Sequence, residues 1–223
     1  MAAMTSAFDA IASTRIIVSL PRLGREADGT RRSAARSPVV VEVCAQEGLD
    51  VVSVPFADLD VLDGMDPVAD RVVFGVGQVR TAEDIDAVAA TRARFVIVDV
   101  ATPDLVARAR TAGLTVVGGA FSPTEIAAAA VVSPDAVIIH PAEVLGTLYV
   151  PHALAAAGPL PVIAGGVNSY VAQQWLSKGA LAATTDESFV ADALVDGNLG
   201  WLRDRARTFA TEGRAAPIWS RIG

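Results

Sequence analysis

The sequence predicts an α/β protein, a single (β/α)8 barrel with an extra C-terminal helix spanning residues 1–223 as one domain. Three observations carry this. Short β-branched runs alternate with amphipathic helical stretches along the chain, eight times over. Each βα unit takes about 20–25 residues, which suits a barrel at the small end of its size range. The chain is 52% hydrophobic with only 5% aromatic residues, so its core is Val, Ile, Leu and Ala, as in parallel strands buried on both faces.

The strands are expected at 15–20 (RIIVSL), 50–55 (DVVSVP), 71–76 (RVVFGV), 94–99 (RFVIVD), 114–119 (LTVVGG), 135–140 (DAVIIH), 160–165 (LPVIAG) and 180–184 (ALAAT). Helices are expected at 34–47, 57–64, 81–91, 103–112, 123–131, 142–156, 168–178 and 186–195, with the extra one near 198–212. TAED (81–84) and SPTE (122–125) have the hydroxyl-to-carboxylate spacing of capping boxes. Gly48, Gly113, Gly158 and Gly179 each stop a helix before a strand. An open doubly wound sheet is the rival. It usually has fewer strands and a glycine-rich first turn. The first turn here, PRLGREADGTRRSAARS (21–37), is long and charged and lacks GxGxxG. Its length and polarity make it the expected mobile segment.

Composition also narrows the partners. The formal charge is −7, and no basic run exceeds Arg31-Arg32, so no nucleic-acid partner is expected. No apolar run reaches the length of a membrane span, and the N-terminus has no signal-peptide pattern. A cytoplasmic protein is expected. Cys44 is the single cysteine. It reads as a buried small hydrophobe, and no cysteine-based metal cluster can form. Two distant histidines make no metal site. Neither a metal nor a cofactor is expected.

In a barrel the strand C-termini form the functional face. Reading those ends gives Ser19, Arg22, Ser53, Gln78, Asp99, His140, Gly165, Gly166, Asn168 and Thr184. Side chains alternate along a strand, so Ile138 and His140 share a face. An imidazole there is a general acid or base near neutral pH. The plainer reading is a structural histidine bonded to a backbone carbonyl. AGGVN (164–168) enters a helix whose first N–H groups suit an anion. A plain tight turn would look the same. Glu125 is better explained as the capping partner of Ser122 than as a pocket carboxylate, and His152 belongs on the surface.

Four segments carry a family resemblance: FGVGQVRTAEDI (74–85), ARFVIVDVATPDLVARARTAGLTVVGGAFSPTEIAAA (93–129), PDAVIIHPAEVLG (134–146) and PVIAGGVN (161–168). Together they resemble the 2-keto-3-deoxy-6-phosphogluconate and 4-hydroxy-2-oxoglutarate (KDPG/KHG) aldolases. The resemblance runs from about residue 40 to 195. It implies a (β/α)8 barrel, usually a homotrimer. It also implies class I lyase chemistry on 2-keto-4-hydroxy acids, through a lysine Schiff base with a glutamate handling protons.

Residue by residue, the resemblance places that lysine at Ile138, the glutamate at Ser53, one threonine at Gln78 and another at Ala164. The final phosphate-binding turn falls on TTDES (184–188). Gly165, Gly166, Pro123–Glu125 and Pro141–Glu143 match. The chain's single lysine, Lys178, ends the seventh predicted helix, on the far face of a barrel. Without a desolvated amine at the strand ends there is no imine. Asp186 and Glu187 oppose a phosphate there. At about 4 Å, like unit charges repel by roughly 4 kcal/mol at an effective dielectric near 20.

Three readings stand. One is an aldolase-family barrel, a pseudoenzyme towards Schiff-base chemistry, that binds a small carbonyl or carboxylate ligand or performs other proton transfer. Another is a structural or regulatory trimeric scaffold. The third is a carbon–carbon lyase with a different mechanism. An open polar mouth favours the first or third, and a mouth filled by Ile138, Phe121 and the 21–37 loop favours the second.

Overall fold

A computed structural model of the chain describes residues 6–24 and 32–217. Eight parallel strands close into a barrel in sequence order. They are β1 (Ile16–Ser19), β2 (Val51–Pro55), β3 (Val73–Val79), β4 (Phe95–Val98), β5 (Thr115–Ala120), β6 (Ala136–Ile139), β7 (Val162–Val167) and β8 (Ala182–Thr185). Each overlaps a predicted run.

The helices around them are α1 (Ala7–Thr14), α2 (Arg32–Gln46), α3 (Ala82–Ala89), α4 (Pro103–Thr111), α5 (Pro123–Val132), α6 (Val150–Ala157), α7 (Ser169–Ser177), α8 (Ser188–Asp196) and α9 (Leu199–Ala215). The last is the predicted extra helix. Both capping boxes form. Thr81 and Asp84 exchange bonds at the start of α3, and Ser122 and Glu125 at the start of α5. The middle of the predicted first loop, residues 25–31, lies outside the described residues.

Alternation along the strands divides the core in two. Ile17, Val51, Phe95, Val117, Ile138 and Ile163 fill the barrel interior. Val18, Val52, Val96, Val116, Val137 and Val162 face outward beneath the helices. Gly75 makes the interior packing possible. A Cβ there would lie 2.3 Å from the Phe95 ring, so the ring takes the room that β3 leaves.

Three elements depart from the prediction. α1 is an addition, because eight residues are too few for its periodicity to stand out. Ser6 caps it by accepting the Asp9 N–H at 3.1 Å. The predicted 57–64 helix is a longer 3-10 segment, Phe56–Val68, kinked at Asp58. Its four aspartates and Gly64 are weak α-formers. The helix predicted over 142–156 begins as two short 3-10 turns, Glu143–Leu145 and Thr147–Tyr149, before α6. Gly146 separates the turns at φ +67°, outside the right-handed helical region.

α1 closes the N-terminal end of the barrel, with Ala7 and Ile11 packed on the interior cluster. Arg15 then crosses beneath β8. Its guanidinium donates to the carbonyls of Leu181 at 2.7 Å, Ala180 at 2.9 Å and Pro217 at 2.6 Å. That end is sealed, which leaves the strand C-termini as the open face.

Candidate functional site

A cavity of about 690 Å3 opens at the strand C-termini. Its apolar floor includes Ile97 and Ile138. The walls carry the polar side chains of successive strand ends.

β6 behaves as alternation requires. Ile138 points into the barrel and is buried, and His140 rises two residues above it into the cavity. The His140–Pro141 peptide is cis. Among the described residues the imidazole has no hydrogen-bond partner, so the structural role through a backbone carbonyl is not seen. The ring instead lies against the glycine pair of β7. A Cβ on Gly165 would sit 2.9 Å from His140 Nδ1 and 2.9 Å from Ile138 Cγ1. One on Gly166 would sit 2.9 Å from His140 Cε1. Gly166 also has φ +67°, where a side chain is strained. The glycine pair therefore makes space for the imidazole.

Hydrogen bonds within the chain occupy part of the expected anion site. The Gly166 N–H donates to Thr184 Oγ1 at 2.8 Å. Asn168 caps α7, accepting the Val171 N–H at 3.0 Å, and its amide donates to Glu143 Oε1 at 2.7 Å. Two of the N–H groups expected to meet an anion are thus bonded within the chain. Asn168 lies outside the main cavity and lines a smaller cleft of about 160 Å3 against α8 and α9. Arg22 is also placed away from the cavity lining, exposed beyond the end of β1. The chain has left the strand by residue 20, so strand direction no longer controls where that side chain goes.

Ser53, Gln78, Asp99, Gly166 and Thr184 do line the cavity with His140. Gly165 lies behind the ring. β1 and β2 bring Ser19 and Ser53 into register, with their hydroxyl oxygens 3.2 Å apart. Gln78 has φ +60° and sits where the β3–β4 pairing shifts between Val76 and Val79. That irregularity turns it towards the mouth. Asp99 accepts from Arg80 Nε at 2.5 Å, and the bond raises the guanidinium above its ordinary pKa.

Glu125 borders the cavity but serves the α5 cap. It accepts the N–H groups of Ser122 at 2.7 Å and Phe121 at 2.9 Å. Those donors, Ser122 first, hold its carboxyl below the usual carboxylate range. Across the β6 loop, the Tyr149 hydroxyl donates to the Phe121 carbonyl at 3.1 Å. Burial raises the Tyr149 phenol above its ordinary value.

Sequence reasoning missed Arg80 and Tyr149. Both act through partners about 20–30 residues away in the chain, and no local spacing signals such a pairing. Among the described residues, no lysine or arginine lines the cavity. Lys178 is exposed at the C-terminal end of α7, which an antiparallel helix places at the opposite end of the barrel. It donates to the Thr147 carbonyl at 3.0 Å. Cys44 is fully buried, and burial pushes its thiol up to about 12, consistent with a packing role. His152 is exposed on α6, as expected. No helix among the described residues is long and apolar enough to cross a membrane.

Several solved aldolases share this architecture. The 2-keto-3-deoxy-6-phosphogluconate aldolase of Zymomonas mobilis ATCC 29191 superposes with a TM-score of 0.77 at 18% identity, covering 96% of this chain and all of that one. The KDPG aldolase of Legionella pneumophila, solved with pyruvate captured as a covalent carbinolamine, gives 0.74 at 18% identity over 92% of this chain and 98% of that one. A native KDPGal structure gives 0.72 at 22% identity over 89% and 94%. At these identities the likeness establishes the fold. Curated proteins yield no match. The pattern of the KDPG and KHG aldolase family, however, matches residues 32–201, about three quarters of the chain, and on that match the protein belongs to the KDPG and KHG aldolase family.

Proposed function

We propose that this protein binds a small polar carbonyl compound in the strand-end cavity and handles its protons without forming a lysine imine. One observation carries the reading. Ile138 occupies the interior position that the family resemblance gives to the Schiff-base lysine, and the unpaired imidazole of His140 stands directly above it. Ser53 stands where the resemblance places the proton-handling glutamate. An alkyl floor offers no amine to a ketone. An imidazole offers general acid–base catalysis, typically about 10²–10⁴-fold.

Any carbon–carbon lyase activity then proceeds by proton transfer at His140 and not through an enamine. The described residues leave the mouth open to a ligand, which supports binding over a filled scaffold. Assembly as a homotrimer follows from the resemblance. A solution mass near three times the 23.0 kDa chain supports it, and a monomer at micromolar concentration contradicts it.

The experiment is a titration of wild type and His140→Ala with pyruvate and with hydroxyacetone, following the imidazole resonances and the heat of binding. At least one probe shifts the His140 signals in wild type. The variant then binds about tenfold or more weakly, while its stability stays within about 0.5 kcal/mol because no hydrogen bond is lost. An unchanged titration with a lowered melting temperature overturns the reading.

A further inference from the structure

Polar groups reach the mouth from strand ends all around the barrel, with Gln78 and Asp99 on the β3 and β4 side. His140, Gly166, Thr184, Ser19 and Ser53 come from β6, β7, β8, β1 and β2, five consecutive strands of the closed barrel. Three are hydroxyl residues. Ser53 and Thr184 are 5% and 3% exposed, where a barrel interior would ordinarily hold apolar side chains.

Their hydrogen bonds do not account for all their protons. Ser19 and Ser53 share one bond between their hydroxyls. One hydroxyl proton of the pair is used and the other is not. Thr184 Oγ1 accepts the Gly166 N–H, and its own proton meets no acceptor among the described residues. Thr185 Oγ1 accepts the Ser19 N–H at 3.0 Å, which fixes the backbone beside the pair. Two O–H donors, one on buried Thr184 and one on either half-buried Ser19 or buried Ser53, therefore border the cavity with no acceptor among the described residues. Buried donors are ordinarily paired.

The charges at the mouth indicate which acceptor. The charged side chains lining it, among the described residues, are Asp99, Glu125, Asp186 and Glu187. Carboxylates at the rim disfavour an anion, whereas neutral hydroxyls serve an uncharged oxygen.

Building on the function proposed above, we propose that Ser19, Ser53 and Thr184 form a hydroxyl shelf that receives the carbonyl oxygen of an uncharged hydroxy-ketone or hydroxy-aldehyde. His140 stands at the far end of the same arc. The Gly166 N–H links the two ends, because Gly166 both seats the imidazole and anchors Thr184. Bonds from the shelf draw electron density towards the carbonyl oxygen. They acidify the neighbouring C–H, whose proton His140 then accepts and returns, with no net change in oxidation state.

The test compares hydroxyacetone, pyruvate and inorganic phosphate as probes on wild type, Ser53→Ala, Thr184→Val and Thr184→Ser. Wild type is expected to bind hydroxyacetone more tightly than pyruvate or phosphate, with little dependence on ionic strength. Ser53→Ala and Thr184→Val each weaken hydroxyacetone by about five- to tenfold, the effect of one lost neutral hydrogen bond. Thr184→Ser, which keeps the hydroxyl, restores it. Thermal melts accompany each titration, so that a folding defect is not read as lost binding. If hydroxyacetone moves the His140 resonances but its affinity is unchanged in both deletion variants, the shelf is overturned and the His140 reading stands. Pyruvate binding as tightly as hydroxyacetone overturns the preference for an uncharged ligand. If no carbonyl probe binds wild type, both fail together.

Discussion

At the N-terminal end of the barrel, α1 lays Ala7 and Ile11 over the interior cluster, and each guanidinium nitrogen of Arg15 donates to a backbone carbonyl. At the C-terminal end, the His140 imidazole, the Thr184 hydroxyl proton and one proton of the Ser19–Ser53 pair have no protein acceptor or donor among the described residues. Both ends carry polar side chains at or beside the barrel strands, buried at Arg15, Ser53 and Thr184 and exposed at His140. What differs is completeness. A satisfied network holds a fold in one arrangement, while an incomplete one borders a cavity with its hydrogen-bonding capacity free. Stability is therefore expected to respond to substitutions at the closed end, and ligand binding to those at the open end.

The strongest break in that contrast comes from the plug. Ile11→Ala leaves a void under the strands and is expected to destabilise the protein by about 2–5 kcal/mol, read from denaturant unfolding. Its effect on the His140 resonances is expected to be nil. A large change in those signals would show that the ends are coupled. Gly166→Ala comes next and affects both properties. A side chain at φ +67° is strained by about 1–3 kcal/mol, and its Cβ meets the imidazole. The expected result is a modest loss of stability with a displaced His140 ring, visible as changed imidazole shifts before any probe is added. His140→Ala has the smallest effect on stability, within the range of ordinary surface changes, and the contrast sharpens if its effect on binding is the larger one.

The barrel was legible because strand runs, capping boxes and helix-stopping glycines repeat at one spacing, and each rests on local chemistry. The floor and wall positions were legible for the same reason. Alternation alone puts Ile138 and His140 on one face, and strand ends alone put Ser53 and Thr184 at the mouth. What escaped depends on contacts between distant segments. The glycine pair reads as an anion-binding turn until Thr184, 18 residues on, is seen to take the Gly166 N–H. Arg22 falls just past a strand, where direction is no longer set by the pleat. The helix expected from residue 142 carries an apolar pattern that continues through Gly146, whose backbone conformation no pattern reveals.

The central claim is that Ile138 and His140 have replaced imine chemistry at the floor of the mouth. Borohydride treatment in the presence of pyruvate, followed by intact-mass measurement and peptide mapping, tests it directly. The account predicts a chain of unchanged mass. A reduced pyruvyl adduct mapped to Lys178, the chain's single lysine, would contradict it.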